Sequence, residues 1–264
     1  MGYYKTEKIN DWLYAIYDPG DVYIYVILGN NAAVVYDTGY GTAPIIPTIR
    51  EITGQDMPLI CILGHGHVDH ACGAYQFDAA WIYKPDLELC RRHTSRTARK
   101  YAINMIAERG GHLPPNFDEE TYIHSGVCEL KTLEIGQIFD IGGKTIEIIN
   151  MEGHTHGSIG VLVREERALL TSDASNLQLW LFLEESTSKD TYIAMLKRNL
   201  NLDFDTFYIG HDTKPFDKSW FHKFIQVAKN ANIAQSVPFP RLPERKGMKY
   251  TEGDVSIVIS EDKL

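Results

Sequence analysis

Gly64-His65-Gly66-His67-Val68-Asp69-His70 follows directly on the apolar run PLICIL at 58–63. A continuous apolar stretch that ends at a glycine predicts a buried strand. Four side chains able to bind a metal, crowded into six residues at the end of a strand, form a metal-site spacing. Imidazole suits zinc, iron and similar ions, and a carboxylate tolerates a harder one. From one tight loop, His-x-His-x-Asp-His aims its donors in different directions. One ion cannot easily use all four, so the spacing hints at two.

Upstream of this loop, residues 12–37 alternate and then run apolar (WLYAIYD, VYIYVILG, AAVVYD), with turn signals at Pro19-Gly20 and Gly29-Asn30-Asn31. That reads as a β-meander. A short helix is expected over 43–53, with Pro44 near its start. Downstream, residues 86–111 hold helix formers throughout and stop at Gly110-Gly111, which predicts one helix. Residues 112–126 read as loop. β-character returns in TLEIGQIFDIGGKTIEIINM around a Gly142-Gly143 turn, and again in SIGVLVREERALLTSDA with a turn at Arg164 to Arg167. A helix over 188–200 with Ser188 as N-cap follows, then the strand DTFYIGHD, a helix over about 217–234, and a closing strand pair in KYTEGDVSIVIS. Strands in two batches, each followed by helices, imply two sheets packed face to face with helices outside. We expect one domain over 1–264 with a helical insertion at about 85–128.

The composition is that of a folded, water-facing chain: 264 residues, 44% hydrophobic and 23% charged. The net charge of -9 weighs against nucleic-acid binding by overall field. The polar start, MGYYKTEKINDWLYAIYD, has no apolar signal region. No stretch of about 18 apolar residues exists, so no membrane partner is expected. A cytoplasmic location follows as an expectation. Cys61, Cys72, Cys90 and Cys128 show no CxxC or finger spacing and read as reduced, buried thiols.

Further motifs line up behind the first. Gly153-His154-Thr155-His156-Gly157-Ser158, Thr171-Ser172-Asp173, Ile209-Gly210-His211-Asp212 and the early Val35-Tyr36-Asp37-Thr38-Gly39 resemble, in order, the motifs of the metallo-β-lactamase superfamily. The resemblance implies an α/β fold, a four-layer αββα sandwich with its metals at one edge, and the dinuclear ligand set of glyoxalase II-like members. On that basis His65, His67 and His154 hold one divalent ion, and Asp69, His70 and His211 hold a second. Asp173 bridges them, and Asp37 orients a ligand imidazole from behind. Zinc is the expected ion, with iron or manganese as alternatives. Gly64 stands where a Thr or Ser is common in the family, His156 where a proline is, and Asp212 where a glycine is.

Two such ions with two carboxylates and a hydroxide leave a centre of about +1, which suits a small-molecule substrate that is anionic or carries a carbonyl. The centre supplies hydroxide and a Lewis acid, and Asp69 is the residue expected to help orient that hydroxide. The reading is therefore a hydrolase of an ester, thioester, lactone or phosphodiester. The alternative is a mononuclear iron dioxygenase of the same fold, similar to persulfide dioxygenases. Arg91, Arg92, Arg96, Arg99 and Lys100 form a basic group, four of them at helical spacing, that could meet a carboxylate or phosphate if it covers the cleft. Trp180 and Phe182, in the apolar stretch after Asp173, are candidate pocket residues. His93 and His222 are expected at the surface, and a homo-oligomer through the 85–128 segment is compatible with the sequence.

Overall fold

In the computed structural model, residues 2–241 and 245–264 are described. The first half builds one sheet from β1 (Lys5–Lys8), β2 (Leu13–Asp18), β3 (Val22–Leu28), β4 (Ala33–Tyr36), β5 (Leu59–Ile62), β6 (Ala79–Tyr83) and β7 (Glu129–Leu133), ordered as in the chain. The meander β1 to β4 is antiparallel, while β4 to β7 run parallel. Helix α1 (Ile46–Thr53) joins β4 to β5, and α2 (Val68–Ala71) follows β5. Three helices, α3 (Leu87–His93), α4 (Arg96–Glu108) and α5 (Glu119–His124), lie between β6 and β7.

The second half carries β8 (Ile138–Asp140), β9 (Thr145–Asn150), β10 (Ile159–Val163), β11 (Ala168–Leu170), β12 (Gln178–Leu181), α6 (Lys189–Asn199), β13 (Thr206–Ile209), β14 (Asp212–Asp217), α7 (Trp220–Asn230), β15 (Val237–Phe239), β16 (Gly247–Glu252) and β17 (Val255–Ile259). Six of these strands form a second sheet in the order β14-β13-β11-β10-β9-β8. The other four form a third, β12-β17-β16-β15.

Strand alternation fixes the layering. Leu13, Tyr25, Ile27 and Val34 on one face of the first sheet pack against Ile146, Ile148, Val161 and Leu170 of the second. Ile16, Ile24, Val26 and Val35 on the opposite face meet Ile45 and Ile49 at α1. Ile149, Leu162, Leu169 and Phe207, on the outer face of the second sheet, meet Tyr192, Leu196, Phe221 and Phe224 of α6 and α7. The result is helix, sheet, sheet, helix, as expected. The third sheet is an addition: Leu179, Leu181, Ile257 and Ile259 cover the same helices, while Trp180, Phe182 and Phe239 cluster on its other side.

Some boundaries differ from expectation. The expected 43–53 helix starts at Ile46, with Pro47 rather than Pro44 in its first turn. The single helix expected over 86–111 is two, because Ser95 takes an extended backbone and caps α4 by accepting from Ala98 N. Residues read as loop contain α5, capped by Asp118. The terminal helix is the shorter α7. The break at Ser95 also ends the continuous spacing of the basic group. Arg99 points inward and is fully buried, giving hydrogen bonds to the carbonyls of Thr94, Cys72 and Gly126 between the rings of Tyr75 and Tyr122.

Candidate metal centre

The seven side chains singled out by motif come from loops at one edge of the two facing sheets. His65 and His67 follow β5, and Asp69 and His70 sit in α2. His154 lies between β9 and β10, Asp173 follows β11, and His211 separates β13 from β14. All seven cluster together, and five of them, His67, Asp69, His154, Asp173 and His211, line the floor of one open cavity of about 750 Å³, with His65 and His70 buried behind.

The approach is close enough to demand glycine at two points. A Cβ at Gly64 would stand 2.6 Å from Ser172 Cβ and 2.8 Å from the Tyr36 hydroxyl, which explains the glycine at this position. A Cβ at Gly210 would stand 2.7 Å from Asp173 Oδ1. Asp37 and Ser172, neither a glycine, hold left-handed backbones (φ 64° and 48°) beside the cluster. Such strain persists only where surrounding contacts over-determine it. Here the Ser172 hydroxyl donates to Asp37 Oδ2 at 2.6 Å, and Gly64 N donates to Asp37 Oδ1 at 2.7 Å.

Donor bookkeeping shows what the centre can hold. His70 Nδ1–H donates to Asp37 Oδ2 (2.8 Å), His154 Nδ1–H to the Trp180 carbonyl (2.9 Å), His67 Nε2–H to Glu185 Oε1 (2.8 Å) and His211 Nδ1–H to the Asp21 carbonyl. Having donated to Asp37, the Ser172 hydroxyl is left to accept from His65 Nδ1, 3.3 Å away. Each neutral imidazole therefore turns a bare nitrogen inward. His67 Nδ1 faces His65 Nε2 at 3.1 Å and His154 Nε2 at 2.9 Å. His70 Nε2 is buried with no hydrogen-bond partner, 3.4 Å from Asp173 Oδ1. Asp173 also lies 3.1 Å from His211 Nε2 and 3.8 Å from His154 Nε2, so it spans both halves of the cluster. Five lone pairs and two carboxylates facing one another fit cations and little else.

Protons compete for the same nitrogens and oxygens. Burial and the neighbouring imidazoles push His65 well below the usual imidazole range, and burial with His67 nearby brings His154 down to about 4. Burial also opposes a proton on His70 and His211, but the neighbouring carboxylates, Asp173 foremost and for His70 also Asp37 and Asp69, raise both. Burial works to raise the Asp69 carboxyl, but Arg109 and His70 hold it well below the carboxylate range.

Several residues here were not legible beforehand. Arg109, just past α4, donates from Nη1 to Asp69 Oδ2 at 2.8 Å. Asp86, at the start of α3, accepts from Gly66 N, Gly157 N and Thr155 Oγ1 (2.9, 2.8 and 2.7 Å) and so ties the two histidine loops together. Glu185 holds His67. His93 is not at the surface as expected: its ring stacks on His67 with centroids 5.0 Å apart, and it lines the cavity. His112, His124, His156 and His222 are exposed, and none lines the cavity. Cys72 is buried and its thiol, pushed up to about 11 by burial, is no nucleophile. Trp180 lines the cavity with Leu177, Leu183 and Met105, while Phe182 packs behind it. Of the expected basic group only Arg92 reaches the cavity, joined there by Arg109, Arg241 and Arg245.

Comparison with known proteins gives the same picture. The acyl-coenzyme A thioesterase MBLAC2 of Bos taurus is 23% identical over 188 residues, covering 66% of this chain and 67% of that protein. Its Homo sapiens counterpart is 24% identical over 190 residues, with the same coverage. The solved metallo-beta-lactamase from Pontibacter korlensis superposes with a TM-score of 0.57 at 15% identity, over 86% of this chain and all of that one. The model of the metallo-beta-lactamase superfamily matches residues 17–211, a span that includes all seven clustered side chains, and the chain belongs to that superfamily.

Proposed function

We propose that this protein is a two-metal hydrolase of thioesters, with acyl-coenzyme A-like substrates as the first class to test. The observation that carries the hydrolase reading is the inward-facing set of bare nitrogens and carboxylates at the cavity floor. In this reading His65, His67 and His154 hold one divalent ion, Asp69, His70 and His211 the other, and Asp173 is shared. Zinc suits a donor set so rich in imidazole. When bound, such a pair supplies hydroxide near neutral pH and polarises the scissile carbonyl. The thioester is suggested by the name of the thioesterase relatives.

The chain's own residues do the rest. Asp69, held ionised by Arg109, would orient the attacking water as a hydrogen-bond acceptor. Asp37, Glu185 and the Trp180 and Asp21 carbonyls fix the imidazole rings, so little reorganisation is left for the reaction. A cavity of about 750 Å³ admits a large substrate. Trp180, Leu177, Leu183 and Met105 offer an apolar wall for an acyl chain, and Arg92, Arg241 and Arg245 offer cations for an anionic leaving group. We read residues 85–128 as an insertion within one domain that forms part of this wall.

The test is elemental analysis of protein purified without added metal, followed by assays on acyl-coenzyme A thioesters, simple esters, lactones and phosphodiesters. Two equivalents of divalent metal and turnover of thioesters above the other classes are expected. His67→Ala and Asp173→Ala should abolish hydrolysis while the circular dichroism spectrum is retained. One equivalent of iron with oxygen uptake, or unchanged turnover in either variant, would overturn the proposal.

A further inference from the structure

Arg109 stands one residue beyond α4, yet it reaches the metal floor. Its Nη1 donates to Asp69 Oδ2 at 2.8 Å and to the Gly20 carbonyl at 3.2 Å. Its guanidinium carbon lies 5.9 Å from the centroid of the Tyr40 ring. Both members of the pair are shielded, with 11% of the Arg109 side chain and 7% of the Asp69 side chain exposed. The chain around Arg109 is itself docked. Gly111 lies so close to the β2–β3 turn that a Cβ there would stand 1.9 Å from the Pro19 carbonyl oxygen, and Gly110 turns the chain with φ at 76°. The arm is thus set by backbone contacts on both sides rather than swinging from a free loop.

Asp69 needs such a support. It sits in α2, a helix of only four residues, and no other side-chain hydrogen bond reaches its carboxylate among the described residues. The Oδ2 held by Arg109 is also the oxygen nearest the bare nitrogen of His70, at 3.8 Å. The same Nη1 is anchored on the Gly20 carbonyl, which fixes where the positive charge meets the carboxylate oxygen. The five clustered imidazoles are fixed by hydrogen bonds to Asp37, Ser172, Glu185 and the Trp180 and Asp21 carbonyls, none of which lies between β6 and β7. Asp69 depends on the helical segment between β6 and β7.

We infer that Arg109 is a positioning residue for the metal-binding carboxylate Asp69, supplied to the second metal position by the helical segment. The inference rests on the two-metal reading above. Partners of this kind change ion affinity by about 10–100-fold when removed. They do so without touching the ion.

The experiment is calorimetric titration of zinc, and separately of manganese, into stripped wild-type, Arg109→Met and Arg109→Lys proteins. The expected result for Arg109→Met is a second binding event weakened about 10-fold or more, with the first event kept within about threefold. Arg109→Lys, which keeps the charge but not the planar guanidinium seated between the Gly20 carbonyl and the Tyr40 ring, should recover part of the loss. In an Asp69→Asn background, Arg109→Met should add nothing, since its effect passes through Asp69. Equal weakening of both events, no weakening, or a loss that persists in the Asp69→Asn background would overturn the inference. If Arg109→Met does not fold, the Lys variant and its double with Asp69→Asn carry the same comparison. A wild-type protein that takes up no second ion would instead sink the two-metal reading itself, so the two failures are distinguishable.

Discussion

At the scale of single residues, the centre is governed by groups that touch no ion. Asp37 receives three hydrogen bonds, from His70, Gly64 N and the Ser172 hydroxyl. Asp37→Ala would free the His70 ring and strand a buried N–H. Ion affinity should fall about 10–100-fold, measured by competition with a chromophoric chelator, and an unchanged affinity would remove Asp37 from its role. Asp18 makes a second case. It is fully buried, accepts from Gly20 N and Tyr40 N, and burial raises its carboxyl from 3.8 to about 6. A raised carboxyl favours the folded state most below pH 3.8 and loses that advantage as pH climbs through about 6. The urea stability of wild type should therefore decline relative to Asp18→Asn between pH 4 and 7, by at most about 3 kcal/mol. Parallel curves for the two proteins would refute the assignment. The seven clustered residues could be read from sequence because each sits in a short motif with its own spacing. Arg109, Asp86, Glu185 and His93 could not, because nothing local marks them. Asp86 occupies a helix start, the ordinary place for an aspartate, and only the tertiary fold turns its side chain toward the two histidine loops.

At the scale of elements, legibility followed period and punctuation. The meander, the Gly142-Gly143 hairpin and the β10–β11 hairpin were visible because alternation and turn residues agree. Helix α6 was visible because Ser188 announces it, and the hydroxyl does accept from Thr191 N at 3.2 Å. Ser188→Ala should cost about 1 kcal/mol of unfolding free energy, read as a shift in the urea midpoint with an unchanged slope. No shift would mean that packing alone holds α6. The two-helix nature of 87–108 was hidden because helix formers flank Ser95 on both sides, and a serine there is as readily read as a helix-interior residue as the N-cap it is. β6 and β12 were obscured by apolar runs too short to separate strand from buried helix. β15 to β17 with β12 form a sheet whose pairing spans distant segments, which no local pattern reveals.

At the scale of the whole molecule, the centre and the fold depend on each other. Four donors come from the loop between β5 and β6, and three from loops of the second sheet. An ion pair would therefore clamp two sheets whose shared core is otherwise apolar. Stripping the ions with a chelator should lower the melting temperature by about 10 °C, taking an ion excess near 1,000-fold over its dissociation constant. That gap should narrow as pH falls, beginning above the ordinary imidazole range, since protons on His70 and His211 occupy the nitrogens an ion would use. A calorimetric scan with and without chelator across pH checks both statements, and coincident melting curves would contradict them. The spread of donors along the chain also bears on biosynthesis. Four emerge from the ribosome by residue 70, the fifth at 154, the sixth at 173 and the last only at 211. A nascent chain thus offers an ion a weak, incomplete grip while the residues between 70 and 211 are being added, and the full cage can close only once His211 has been made.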